Sequence, residues 1–236
     1  MAKGKMLVEG KGKLVYETDD PDSLILEFKD TATAFDGKKA AELDEKGRIN
    51  NAINAHIMEL LEEGGIPVHH RRKLSETESE VKRLEMLPVE AVVRNVVAGS
   101  LARRLGMEEG TELSRPIFEF FYKSDELGDP MINQFHILAF DWATQAEVDR
   151  MIELSFRVNE ILVPLFEKGG MRLVDYKLEF GRFHGDLVLG DEFTPDGCRL
   201  WDAETGEKLD KDRFRRDLGD VLEGYREIGR RLGVDL

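Results

Sequence analysis

The segment Leu173-Val174-Asp175-Tyr176-Lys177-Leu178-Glu179-Phe180-Gly181 admits few local structures. Val174, Tyr176, Leu178 and Phe180 alternate with Asp175, Lys177 and Glu179. A period of two is that of a pleated strand, with the apolar side chains on one face and the charges on the other. The charges run acid-base-acid along one line, which is either the solvated face of an ordinary amphipathic strand or the floor of a polar site. A second apolar run, Leu187-Val188-Leu189, leads into Gly190-Asp191-Glu192. If the two strands pair as a hairpin, Glu179 and Asp191 fall at neighbouring positions. Two carboxylates there can hold Mg²⁺, a hard cation that takes one or two protein carboxylates together with phosphate oxygens.

The rest of the chain reads as α+β. Short strands are expected at 5–9, 14–18 and 24–28 around glycine and proline turns. Ile49, Ile53, Ile57, Leu60 and Leu61 recur at helical spacing until Gly64-Gly65. Strand-like runs at 66–70 and 80–86 complete an antiparallel sheet with one packed helix, and a boundary falls near residues 84–88. Beyond it come a nearly continuous apolar strand at 89–97, a short helix at 101–105 and an aromatic-rich strand at 117–122. Thr144-Gln145-Ala146-Glu147 is a capping box opening a helix that carries Val148, Ile152, Phe156, Leu162 and Phe166 on one side. The periodicity of Phe214, Leu218, Val221, Leu222, Tyr225, Ile228 and Leu232 predicts one last helix. The expected domains are 1–85 and 86–236.

Three further constellations suit chemistry. Gly10-Lys11-Gly12-Lys13 lies between two strands, where exposed N–H groups and ammonium groups suit a polyphosphate; a plain hairpin turn with solvated lysines is the other reading. Arg94 interrupts Val92-Val93 and Val96-Val97, so it has a carboxylate partner or awaits an anion. Gly99-Ser100 follows it before a helix, where N–H groups and a hydroxyl can receive a phosphate. Finally, the Pro195-Asp196-Gly197 turn is expected to return Arg199 toward Asp191, and Asp129-Pro130 offers a loop carboxylate. The histidines show no metal-ligand spacing; His69 and His70, if in a strand, point to opposite faces.

Composition excludes several classes. The 236 residues carry a net charge of −14, against general nucleic-acid binding, although a few cations focused in one cleft still suit anionic metabolites. Cys198 is the single cysteine, so an intrachain disulfide is excluded and a structural role in a reducing compartment is expected. No apolar window is long enough for a membrane span and the N-terminus lacks a secretory pattern, so the expected location is cytoplasmic.

These segments resemble the phosphoribosylaminoimidazole-succinocarboxamide synthases, or SAICAR synthetases. Leu87-Pro88-Val89-Glu90-Ala91-Val92-Val93-Arg94-Asn95-Val96-Val97-Ala98-Gly99-Ser100 is similar to that family's first signature and 173–181 to its second. Glu9-Gly10-Lys11-Gly12-Lys13-Leu14-Val15-Tyr16 and Gly190-Asp191-Glu192-Phe193-Thr194-Pro195-Asp196-Gly197 also fit, with Gly12 where alanine is more usual. The resemblance implies two lobes, a kinase-like antiparallel N-terminal lobe and an ATP-grasp-like C-terminal lobe, with ATP between them. It implies an ATP-dependent ligase joining L-aspartate to carboxyaminoimidazole ribonucleotide through an acyl phosphate, with a small-molecule kinase as the alternative. Gly10, Lys11, Gly12, Lys13, Val15, Lys82, Leu84 and Lys123 would bind ATP. Glu179 and Asp191 would hold Mg²⁺, with Glu90 and Asp129 as candidates for a further metal. Arg94, Gly99, Ser100 and Arg199 would bind the ribonucleotide phosphate, and Asp175 and Lys177 would face the imidazole. Lys13, Lys177 and Asp175 are the expected catalytic groups, and a homodimer is the expected assembly. The resemblance assigns no aspartate pocket.

Overall fold

A computed structural model of the chain describes residues 2–34 and 38–236. The N-terminal strands are β1 (Met6–Glu9), β2 (Lys13–Glu17), β3 (Ser23–Phe28), β4 (Thr31–Ala34) and β5 (Lys39–Glu42), followed by helix α1 (Lys46–Glu63), β6 (His70–Lys73) and β7 (Glu78–Lys82). β8 (Glu85–Val96), α2 (Gly99–Leu105), β9 (Glu112–Tyr122), a 3-10 turn at Asp125–Leu127, β10 (Met131–Ile132), α3 (Gln134–Ala139) and α4 (Gln145–Lys168) come next. The chain closes with β11 (Met171–Phe183), β12 (Asp186–Gly190), β13 (Cys198–Asp202), α5 (Asp212–Arg215) and α6 (Val221–Leu232). No helix among the described residues is long and apolar enough to cross a membrane.

The strands form two principal antiparallel sheets. One has the order β1-β2-β3-β7-β6 with α1 packed against it. The other runs β10-β9-β8-β11-β12, with β13 also paired to β11. β11 has β8 along one edge, while the opposite edge is shared by β13 and then β12. Between those two partners Lys177 N–H donates to Gly197 O at 3.0 Å. The sheet is therefore open in the middle of the charged stretch, and polar side chains can gather there.

The apolar face of β11 meets α4. Leu173, Tyr176, Leu178 and Phe180 join Val148, Met151, Leu154, Val158 and Leu162 in the main core, which also takes Ile49, Ile53 and Ile57 of α1. Tyr176 buries its ring there and donates its hydroxyl to Ser155 O at 2.8 Å, so the aromatic body is packed without an unpaired polar tip. The simple alternation needs one correction. A register shift between Leu173 and Asp175 changes the phase of the strand, and Val174 packs instead with Val96, Ala98 and Trp201.

The Thr144–Glu147 capping box is present, with Thr144 N–H donating to Glu147 Oε2 at 2.8 Å. Elsewhere the elements differ from expectation for identifiable reasons. Residues 66–69 make only a bridge from Val68 to Leu189, and the strand begins at His70. The run at 80–86 divides at Arg83-Leu84 between the two sheets. The final helix breaks into two because Asp217, Gly219 and Asp220 adopt left-handed backbone (φ 54°, 74° and 46°). Cys198 and Arg199, just after the expected Pro195-Asp196-Gly197 turn, open a strand, Cys198–Asp202, beside β11.

Candidate active site

β11 orders the site. Asp175 lies opposite Arg94 on β8 and Arg199 on β13; Lys177 lies opposite Val92; Glu179 lies opposite Glu90 on β8 and Gly190 on β12. The hairpin expected from the sequence therefore forms, and Asp191 follows Gly190 directly beside Glu179. The turn at 195–197 carries Arg199 to Asp175, not back toward Asp191 as its position in the loop suggested.

At the Glu179 end the carboxylates converge on an ammonium. Lys177 Nζ donates to Glu179 Oε1 and to Asp191 Oδ2 (2.9 Å) and lies 3.6 Å from Glu90 Oε1. Lys13 bonds Asp191 and lies 3.0 Å from Glu192 Oε1, while Lys123 bonds Glu179. Burial pushes the Asp191 carboxyl up, but Lys13 and Lys177 overcome it and hold it well below the usual carboxylate range. Burial likewise opposes the Lys177 charge, and Asp191, Glu179 and Glu90 more than restore it. Glu90 goes the other way: burial raises it, Lys177 opposes, and Glu179 and Asp129 add to the rise. Asp191 itself sits in the left-handed region (φ 57°), a conformation Asp tolerates better than most residues.

Gly10, Lys11, Gly12, Lys13, Glu90, Lys123, Asp129, Lys177, Glu179 and Asp191 line one cavity of about 460 Å³. Glu90 and Asp129 are thus brought together, with Asp129 Oδ1 accepting from Ser124 N–H at 2.8 Å. Lys11 reaches across to Asp125 at 2.7 Å, so the glycine turn leans over the cavity. A second cavity of about 540 Å³ lies against it, between the sheets, and shares Gly10, Lys13, Lys123, Glu179 and Asp191. Its walls include Val15, Leu24, Leu26, Val81, Lys82, Leu84 and Met86. Two glycines allow the segment between the sheets to pack this closely. A Cβ on Gly181 would lie 2.8 Å from Leu84 Cβ, and one on Gly190 would lie 3.0 Å from Leu84 Cδ1.

At the other end of β11, buried charges alternate in sign. Arg94 donates from Nε to Glu119 (2.7 Å), from Nη1 to Asp175 (2.8 Å) and from Nη2 to Ser100 Oγ (3.0 Å). Arg199 donates to the same Asp175 carboxylate (2.9 Å) and, from Nε, to Asp212 (2.9 Å). Arg104 and Arg215 close the row on Glu119 and Asp212. Four arginines thus enclose three carboxylates, an excess of positive charge at the edge of a cavity of about 190 Å³ that Arg94, Asp175, Lys177 and Arg199 line. The carboxylate-partner reading of Arg94 holds, and the residue also borders a polar cavity. Asp175, expected to face a substrate, lines this cavity, is 3% exposed and accepts from both guanidiniums.

Gly99 matters here for two reasons. Its φ is 53°, and a Cβ would sit 2.6 Å from Arg199 Nη2. Gly99→Ala should cost about 1–2 kcal/mol from the left-handed backbone and displace the Arg199 guanidinium. The expected result is a lowered melting temperature, read from a thermal melt against wild type.

Sequence reasoning missed Glu119, Asp212 and Glu192 as members of this array. Glu192 had a signal, its place directly after Asp191. Glu119 lies inside the aromatic run 117–122 and Asp212 far along the chain, so neither showed one. Lysines, paired carboxylates and clustered arginines chained along one strand define a class of protein, an enzyme that brings anionic substrates together.

Comparison with known proteins gives the particular family. A profile described as SAICAR synthetase matches residues 6–232. The phosphoribosylaminoimidazole-succinocarboxamide synthase of Idiomarina loihiensis is 61% identical over 236 residues, covering 100% of both chains. The crystal structure of such a synthase from Ehrlichia chaffeensis has a TM-score of 0.97 at 45% identity, covering 98% of this chain and 100% of its own. A SAICAR synthetase in complex with ADP has a TM-score of 0.93 at 49% identity, covering 95% and 96%. The chain belongs to the SAICAR synthetase family. It is an ATP-dependent carbon–nitrogen ligase of purine biosynthesis, and the small-molecule kinase alternative falls away.

Proposed function

We propose that ATP binds in the cavity of about 540 Å³ between a kinase-like lobe, residues 1–85, and an ATP-grasp-like lobe, residues 86–236, and that carboxyaminoimidazole ribonucleotide lies along β11. One observation carries this reading: three cavities follow one another along the polar face of a single strand, with Lys177 common to the last two. The apolar wall suits a purine, and the backbone of Lys82 to Leu84 borders it. Gly10, Lys11, Gly12, Lys13, Val15 and Lys123 face the nucleotide. Arg94, Gly99, Ser100 and Arg199 receive the ribonucleotide phosphate, whose negative charge suits the arginine excess there. Asp175 acts through the two arginines it holds, and Lys177 lies where the substrate carboxylate comes to rest.

Glu179 and Asp191 fit a Mg²⁺ ion. Both supply hard oxygen donors, and their oxygens already converge on one cationic group, the Lys177 ammonium. Among the described residues no three His, Cys, Asp or Glu side chains form a metal cage, so phosphate oxygens would complete the coordination. The ion would supply charge neutralisation at the phosphates. Glu90 and Asp129 are the candidates for a further ion.

The reaction needs an activated carboxylate. The substrate carboxylate takes the γ-phosphoryl group of ATP, giving an acyl phosphate and ADP. The aspartate amine then attacks the carbonyl carbon, the carbonyl–phosphate bond breaks, and phosphate leaves with its electron pair. Lys13, Lys123 and Lys177 turn from their carboxylates to the phosphoryl oxygens, where negative charge accumulates during transfer. We place the enzyme in the cytoplasm as a homodimer. ADP release should require ATP, the ribonucleotide and aspartate together; rapid ADP release with either co-substrate omitted would contradict the ligase mechanism.

A further inference from the structure

The link between α1 and β6 carries a histidine pair that the chemistry above does not use. His69 and His70 are 4% and 3% exposed. The link is fixed at both sides: His69 N–H donates to Leu189 O (2.8 Å) on β12, and Lys82 N–H donates to His69 O (2.7 Å). It therefore joins the strand that leads to Asp191 and the segment that borders the purine wall. The His69 side chain lines the cleft with Lys13, Lys82, Leu84, Glu179 and Asp191. Its Nε2 is buried with no hydrogen-bond partner among the described residues.

A buried ring nitrogen without a partner is destabilising, so such atoms are rare unless something else completes the bond. Every other polar side chain lining this cavity is charged: Lys13, Lys82, Arg83, Lys123, Glu179 and Asp191. His69 is the one hydrogen-bonding side chain among the lining residues that is not a carboxylate, an ammonium or a guanidinium. Charged groups suit the phosphates of a nucleotide, whereas an unpartnered ring nitrogen suits an uncharged polar group.

We propose that His69 is a nucleotide-specificity residue whose Nε2 hydrogen-bonds an uncharged polar group of the bound nucleoside triphosphate, its base amine or a ribose hydroxyl. The proposal rests on the placement of ATP in this cleft. It makes the histidine part of what the ligase selects, separate from the groups that handle phosphate. His69→Phe keeps the volume of the ring and removes the nitrogen; His69→Gln keeps a hydrogen-bonding group.

The test compares KM values of wild type, His69→Phe, His69→Gln and Lys13→Ala. The nucleotides are ATP, purine riboside triphosphate (which lacks the amine), and 2′-deoxy and 3′-deoxy ATP. His69→Phe should raise the KM for ATP about threefold to tenfold, the range of one neutral hydrogen bond, and leave the KM values for ribonucleotide and aspartate unchanged. His69→Gln should recover most of that loss. The analogue lacking the group that Nε2 meets should lose against ATP in wild type and not in His69→Phe, which identifies amine or hydroxyl. Discrimination among the nucleotides that is the same in His69→Phe as in wild type, with only a lowered melting temperature, would overturn the proposal. If Lys13→Ala raises the KM for ATP while His69→Phe does not, the proposal alone fails; if neither does, the placement of ATP fails with it.

Discussion

Arg94→Ala should lower the stability of the protein by about 3–5 kcal/mol, the usual cost of removing one partner from a buried charge pair. Glu119 and Asp175 are 7% and 3% exposed, and both lose a guanidinium at once. That is a large share of the roughly 5–15 kcal/mol that holds an ordinary protein folded. Denaturant unfolding measures it directly. Arg199→Ala makes the control, because its guanidinium is more accessible and Asp175 retains Arg94. Arg199→Ala should therefore melt closer to wild type while still raising the KM for the ribonucleotide, with the KM for ATP unchanged. Native stability in Arg94→Ala would show that the carboxylates find other partners. A normal ribonucleotide KM in both variants would remove the arginine pocket from the substrate site.

Glu179→Gln and Asp191→Asn should each reduce kcat by about 10²–10³, the range seen when one group stabilising transition-state charge is removed. Both substitutions keep size, and asparagine tolerates the left-handed backbone at 191 as well as aspartate does. What disappears is the anionic oxygen. If the two carboxylates act on one cation, the double variant should be little worse than the poorer single one. Added Mg²⁺ should rescue the single variants only in part, because the position of the ion is lost along with its affinity. Turnover near normal in both, with unchanged magnesium dependence, would remove this metal pair. Thermal melts of the same samples separate the effect from unfolding, which matters because Asp191→Asn also leaves Lys13 and Lys177 short of a partner.

The cleft was legible in the sequence where local pattern and tertiary structure agree. Period two in 173–181 placed Asp175, Lys177 and Glu179 together, and hairpin pairing set Glu179 beside Asp191. The capping box at Thr144 was equally local. What the sequence hid depended on distant pairing. Glu119 looks like a polar interruption in an aromatic strand until β9 is laid beside β8, opposite Val92 and two residues from the partner of Arg94. Thr31–Ala34 and Lys39–Glu42 are too small and too polar to announce a β pair. The periodicity of 214–232 runs through Gly219, and only the left-handed backbone at 217–220 reveals the break. His69 escaped because a buried, unpaired ring nitrogen has no signature in sequence.

The acyl phosphate is the centre of this account, and one isotopic measurement tests it. The ribonucleotide is labelled with ¹⁸O in its carboxylate, turned over with ATP and aspartate, and the released phosphate is analysed by mass. A carboxylate that takes the γ-phosphoryl group surrenders one of its oxygens to the departing phosphate, so the account predicts one ¹⁸O in each phosphate released from fully labelled substrate. Phosphate free of label, released in step with the amide product, would contradict it.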